Sequence, residues 1–222
     1  MIDKTLKYAI ILASGLMFST TLWAAASDDS SLTLLVGNCI ACHGPNGSSL
    51  GPAIPTISGS DDETFLEAMN AYQNDERPST IMGRIAKGYS EADFKQMAHY
   101  FSKQPFVRQK QEFELAKAQK GQEYHERYCR KCHEDGGYID EDGSAILAGQ
   151  WMPYLQFSLT DFRAGTREMS KKMKKRLKKM VKQEGLQSLE AIVHFYGSQD
   201  RNNVEPHQDD KGHHERHHHD DD

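Results

Sequence analysis

Apolar positions along this chain recur at helical spacing, and no run of alternating apolar and polar residues suggests a substantial sheet. The same succession reads twice: an N-terminal helix, a Gly/Pro-rich loop, a middle helix, a Met-bearing loop and an amphipathic closing helix. Short strings mark the repeat. Ile57-Ser58-Gly59 resembles Leu147-Ala148-Gly149 at an offset of 90, and Ala98–Gln104 resembles Val193–Gln199 at an offset of 95. The pattern predicts an all-α chain of two modules, residues 27–106 and 107–200. Helix-breaking Pro105 and the charged stretch Arg108–Glu114 mark the join.

Two flanking segments stand apart. Lys4 and Lys7 precede an apolar run from Tyr8 to Trp23, followed by Ala24-Ala25-Ala26-Ser27. This is the order of a secretory signal peptide over residues 1–26, cleaved after Ala26. An uncleaved anchor is the competing reading, but the run is short for a bilayer span. Cleavage predicts a periplasmic protein, free of the membrane, in an oxidising compartment. At the other end, residues 201–222 interleave six histidines with acids. That tract is too polar to build a core, so disorder is expected, and its histidines suit divalent transition metals.

Composition then narrows the classes. Of 222 residues 37% are hydrophobic and 27% charged, with mean hydropathy −0.72, which excludes a polytopic membrane protein or a collagen-like chain. The net charge of −5 belongs to the tail: residues 200–222 hold eight acids against three bases, leaving a near-neutral body. There is no general basic footprint for nucleic acid. The thin apolar fraction also asks what else fills two small cores.

The cysteines answer. All four lie in Cys39-Ile40-Ala41-Cys42-His43 and Cys129-Arg130-Lys131-Cys132-His133. C-x-x-C-H is the attachment pattern of c-type haem. The two-residue gap lets one helical turn present both thiols to one porphyrin edge, and the next residue offers a neutral imidazole to iron. A thioredoxin-like dithiol needs a βαβ context that is absent. A compact zinc site needs closer pairs than Cys42 and Cys129, which 86 residues separate. Neither these nor two disulfides explain a histidine after both motifs. Two covalent haems are therefore expected, on Cys39 and Cys42 and on Cys129 and Cys132, with His43 and His133 on iron.

A methionine as sixth ligand raises the reduction potential and suits electron transfer. Met69 and Met97 sit among apolar neighbours on helical stretches, so Met82, in Pro78-Ser79-Thr80-Ile81-Met82-Gly83, is the first-half candidate. In the second half Met173 is favoured, six residues after Arg167 as Met82 is five after Arg77; Met169 is the alternative. Met180 reads as core. Gly51-Pro52 is placed to offer a carbonyl to His43, a bond that fixes a ligating imidazole. His99 and His194, at matching places in the closing helices, read as packing residues rather than ligands.

These residues resemble the dihaem cytochrome c subunit of flavocytochrome c sulfide dehydrogenase, within the two-domain periplasmic dihaem cytochromes c. The resemblance spans nearly all of residues 32–199. Beyond the C-x-x-C-H pair it rests on Gly51–Ile57, Ser79–Tyr89, Ala148–Leu155 and Phe162–Gly165. It implies two tandem class I cytochrome c-like domains, each enclosing one haem. It also implies a heterodimer with an FAD-containing subunit that oxidises sulfide, and onward transfer to a soluble acceptor cytochrome. On that reading this chain is an electron-transfer subunit without catalytic residues of its own. A free-standing dihaem carrier to a terminal oxidase is the alternative, and a haem peroxidase a third.

From Arg167 to Lys182, nine of sixteen residues are Lys or Arg. This reads as a solvated helix face, as a docking patch for an acidic partner, or as a counterpart to the acidic tail.

Overall fold

The computed structural model describes residues 27–140 and 144–200, so the expected signal segment and the His/Asp tail lie outside the described residues. Among the described residues there are helices and no strand. Helix α1 (Ser27–His43) runs through the first C-x-x-C-H motif and is followed by a 3₁₀ turn, Pro45–Gly47. Then come α2 (Asp62–Gln73), the short α3 (Met82–Ala86) and α4 (Glu91–Ser102). The second half repeats the order with α5 (Leu115–Tyr124), α6 (Met152–Ala164), α7 (Lys171–Glu184) and α8 (Gln187–Gly197).

Local chemistry sets the boundaries. Asp61 caps α2 by accepting the Thr64 N–H at 2.8 Å. Ser90 and Asp93 form a reciprocal capping box on α4, and Ser170 caps α7 through the Met173 N–H. Helix α6 ends at Gly165, whose φ of +76° suits glycine.

The repeat is written in the backbone. The Gly47 carbonyl accepts the N–H groups of Ile57 and Ser58 at 2.8 and 3.2 Å, and the Gly137 carbonyl those of Leu147 and Ala148 at 2.9 Å each. Gly59 N–H donates to Phe101 O at 2.9 Å, and Gly149 N–H to Tyr196 O at 2.8 Å. Gly47 and Gly137 both have left-handed φ, +85° and +87°. A Cβ there would meet the Phe101 ring at 2.8 Å or the Tyr196 ring at 2.9 Å, so both positions need glycine.

Two cores result. One gathers Val36, Phe65, Met69, Phe94, Met97 and Phe101; the other gathers Tyr124, Leu155, Met180, Ile192, Phe195 and Tyr196. Full burial of side chains such as Phe94 and Phe101 contributes about 1.5–3 kcal/mol each. In the second core α5 meets α8 closely at Gly121, where a Cβ would fall on the Ala191 carbonyl.

The halves are tied by buried polar contacts. Gln150 accepts from Thr56 N–H at 3.0 Å and donates to Thr56 O at 2.9 Å. Trp151 Nε1 donates to Ser49 O at 3.1 Å. The buried Arg108 lies between the rings of Phe106 and Tyr138 and donates to Ala148 O. Asp140 accepts from Asp61 N–H at 3.1 Å and from the Thr64 hydroxyl at 3.0 Å.

Candidate functional site

The first C-x-x-C-H motif ends α1, whereas the second lies just beyond α5, and the two are reached differently. The first motif is regular α-helix to His43. The second is reached through a π-turn, His125–Cys129, in which Arg130 N–H donates to His125 O at 2.9 Å. Cys132 and His133 then both donate to the Cys129 carbonyl, closing the turn that carries the pair. Such π-insertions are uncommon and concentrate at functional positions.

The two sulfurs of each pair are not joined to each other; Cys42 and Cys132 are exposed, and Cys39 and Cys129 are half-buried. Burial pushes the Cys39 thiol up, and Cys129 up to about 11. Before haem is attached, Cys39 and Cys129 are therefore thiols at neutral pH, unlike the depressed-pKa thiolates of dithiol redox sites. That state, with one thiol of each pair turned outward, fits addition to a porphyrin edge.

The histidines fit iron. His43 is buried, which lowers its pKa and keeps the imidazole neutral. Its Nδ1 lies 2.7 Å from Pro55 O, so the tautomer with Nδ1–H donating leaves the Nε2 lone pair for a metal. The acceptor expected from Gly51-Pro52 is thus corrected to Pro55. The Gly51 carbonyl is instead taken in a local turn by the Ser49 hydroxyl at 3.1 Å. Burial, and then neighbouring His125, pushes His133 down to about 4, again leaving it neutral. Its Nδ1 is buried with no hydrogen-bond partner among the described residues.

Met82 is not in a loop, as the sequence suggested, but opens α3 and packs against the first core. Met173 occupies the first turn of α7, whereas Met169 lies in the extended stretch before it. Met180 is buried in the second core. His194 is buried and accepts the Glu114 N–H at 3.0 Å, a packing role. His99, its counterpart, is exposed beside Asp62.

Sequence reading missed what the two arginines ahead of the methionines do. Arg77 donates to the Tyr154 hydroxyl at 2.8 Å and stacks on Tyr72. Arg167 reaches the same hydroxyl from the other half and stacks on Phe162. Burial, then the charge of Arg77, lowers the Arg167 pKa, although both neighbouring tyrosines oppose that. Burial alone would raise Tyr154, but the two guanidiniums outweigh it and lower it. Neither arginine makes an ion pair with a described carboxylate. Two converging guanidiniums with no ion-pair partner among the described residues would suit a ligand that brings carboxylates, as haem does through its propionates. The only advance signal was the arginine at similar spacing before each methionine.

Comparison with known proteins fits this geometry. The cytochrome c family model matches residues 32–104. The cytochrome subunit of sulfide dehydrogenase from Chlorobaculum tepidum is 38% identical over 97 residues, covering 41% of this chain and 87% of that protein. Cytochrome c4 of Pseudomonas aeruginosa is 30% identical over 170 residues, covering 72% of this chain and 81% of that one. The crystal structure of reduced recombinant cytochrome c4 from Pseudomonas stutzeri superposes with a TM-score of 0.65 at 24% identity, covering 78% of this chain and 98% of the other. That superposition shows the fold alone.

Proposed function

This chain belongs to the two-domain dihaem c-type cytochromes, electron carriers with covalently bound haem c, and from that premise we propose that it serves an FAD-containing sulfide dehydrogenase subunit. It takes electrons from that subunit and hands them to a soluble acceptor cytochrome, after export to the periplasm. The domains are residues 27–106 and 107–200. The observation that carries the reading is the 38% identity to a cytochrome subunit of sulfide dehydrogenase.

In this reading Cys39 and Cys42, and Cys129 and Cys132, hold the two haems by thioether bonds. His43 and Met82 would hold the iron in the first half, and His133 and Met173 in the second. Bound haem supplies a one-electron iron centre at each site. The chain's own residues do the rest. Pro55 O fixes the plane and tautomer of His43, and burial keeps both imidazoles unprotonated. Arg77 and Arg167 set positive charge where the halves meet. The cleft beside Met82, lined by Arg77, Ser79, Thr80, Arg84 and Lys87, gives the face proposed to meet the flavoprotein.

The second reading is a free-standing carrier. It is favoured by one observation: cytochrome c4 matches 72% of this chain, against 41% for the sulfide dehydrogenase subunit. Co-purification from the native host separates them. The first reading predicts an FAD-containing partner in stoichiometric amount; isolation of the cytochrome alone, without flavin, contradicts it.

A further inference from the structure

A cleft beside α3 is lined almost wholly by hydrogen-bond donors. It has a volume of about 380 Å³ and lies between the loop that follows α2 and α3 itself, with Asp75, Arg77, Ser79, Thr80, Arg84 and Lys87 around it. Neither C-x-x-C-H motif contributes to its lining. The chain turns into the cleft at Asp75, whose φ of +59° lies in the left-handed region that residues other than glycine seldom adopt. The Ala71 carbonyl holds this turn by accepting the N–H groups of Glu76 and Arg77 at 2.8 and 3.1 Å.

Three cations line the cleft against one acid, Asp75, a net charge of +2. Lys87 Nζ donates to both Asp75 oxygens, at 2.8 and 2.6 Å, and so takes up that acid. Arg77 donates to the Tyr154 hydroxyl at 2.8 Å and stacks on Tyr72, which fixes its plane and leaves others of its five N–H groups unspent. Arg84 is exposed, and neither arginine has an ion-pair partner among the described residues. Ser79 Oγ accepts the Gly83 N–H at 2.8 Å, so its hydroxyl proton is left to donate. Thr80, exposed beside it, adds a second hydroxyl. Such a lining repels metal ions. A carboxylate would meet it with two acceptor oxygens in one plane. A tetrahedral oxyanion brings acceptors in every direction and a second negative charge, and a guanidinium fork suits it.

We propose that this cleft binds a tetrahedral dianion of sulfate or phosphate type, with Arg77 and Arg84 giving charge-assisted hydrogen bonds, Ser79 and Thr80 neutral ones, and Lys87 the outer charge. Met82 gives the site a consequence. It stands in the first turn of α3, directly before Gly83 and Arg84. With Met82 on the first iron, a dianion held here favours the oxidised haem, and the oxidised protein binds it more tightly than the reduced one. A tenfold ratio of those affinities lowers the midpoint potential of that haem by ~59 mV. This consequence rests on the ligand reading above; the site itself does not.

The test titrates the haem-loaded full chain with sodium sulfate and, separately, with inorganic phosphate, at an ionic strength held constant by chloride. Calorimetry shows saturable binding at one site, and the amide resonances of Ser79, Thr80, Gly83 and Arg84 move in the reduced, diamagnetic protein. Arg84→Gln weakens binding roughly tenfold or more, the size of a lost charge-assisted hydrogen bond, and Arg84→Lys recovers part of the loss. Lys174→Gln combined with Lys178→Gln, on the separate cationic face of α7, leaves binding unchanged. Absence of saturable binding overturns the proposal. So do equal binding by Arg84→Gln, loss of binding in the α7 variant, and acetate binding as tightly as sulfate. Binding that moves neither midpoint potential supports the site and contradicts Met82 as the ligand.

Discussion

The side-chain amide of Gln150 closes on both backbone groups of Thr56, accepting its N–H at 3.0 Å and donating to its carbonyl at 2.9 Å. One buried residue of the second half thus satisfies a buried peptide unit of the first. Gln150→Leu leaves that N–H and C=O without partners, at about 1–3 kcal/mol for each group. We expect guanidinium unfolding of the haem-loaded protein to shift to lower denaturant by the equivalent of about 2 kcal/mol or more. An unchanged midpoint would mean that the bridge contributes nothing.

Asp140 gives the interface a pH dependence. Burial, and then the adjacent Asp61, pushes its carboxyl up to about 8. The folded state therefore keeps a proton that the unfolded chain releases near pH 4. The resulting stability is full below about pH 4 and is lost as pH rises through about 8. Asp140→Asn, neutral throughout, flattens this loss. Between pH 5 and pH 9 the parent should lose about 4 kcal/mol more stability than the variant, at about 1.36 kcal/mol for each pH unit up to pH 8, read from unfolding midpoints across that range. Parallel pH profiles would show that Asp140 ionises freely in the folded protein.

Arg77 and Arg167 meet at Tyr154 with no ion-pair partner among the described residues. If their counter-charge is carried by haem, removing either cation destabilises the reduced form relative to the oxidised form. Arg167→Gln should lower at least one midpoint potential by tens of millivolts, ~59 mV for each tenfold change in a one-electron equilibrium. Potentiometric titration of parent and variant reads this, and unchanged potentials place the arginines away from both haems.

Single methionine replacements assign the sixth ligands. Met82→Ala should convert one of the two haems to a high-spin form, and Met173→Ala the other, while Met169→Ala leaves both spectra intact. The first turn of α7 holds Met173 as the first turn of α3 holds Met82. A high-spin signal from Met169→Ala, with none from Met173→Ala, would move the second-half assignment to Met169.

What was legible beforehand was what depends on neighbours in sequence. The C-x-x-C-H strings, the Gly-bearing repeats and the heavily basic helix needed only local order to read, and the structure aligns the repeats through Gly47 and Gly137. The missed features join residues far apart. His43 finds Pro55 rather than the nearer Gly51-Pro52, because Ser49 has already folded the loop back on Gly51. Gln150 and Thr56, or Arg77 and Arg167, meet only once two helical modules have packed, and no spacing rule encodes that meeting. The π-turn before Cys129 likewise adds a residue to a turn without a sequence mark. The composition question is answered as well. The described cores are modest, and two covalent cofactors add the apolar bulk that 37% hydrophobic residues do not supply.

The central claim is that this dihaem carrier is fed by a sulfide-oxidising flavoprotein. The most direct measurement follows haem absorbance after sulfide is mixed with the oxidised cytochrome, alone and together with an FAD-containing sulfide dehydrogenase subunit from the native host. Rapid reduction of both haems that requires the flavoprotein is the predicted result. Reduction at the same rate without the flavoprotein, or none with it, would contradict the account.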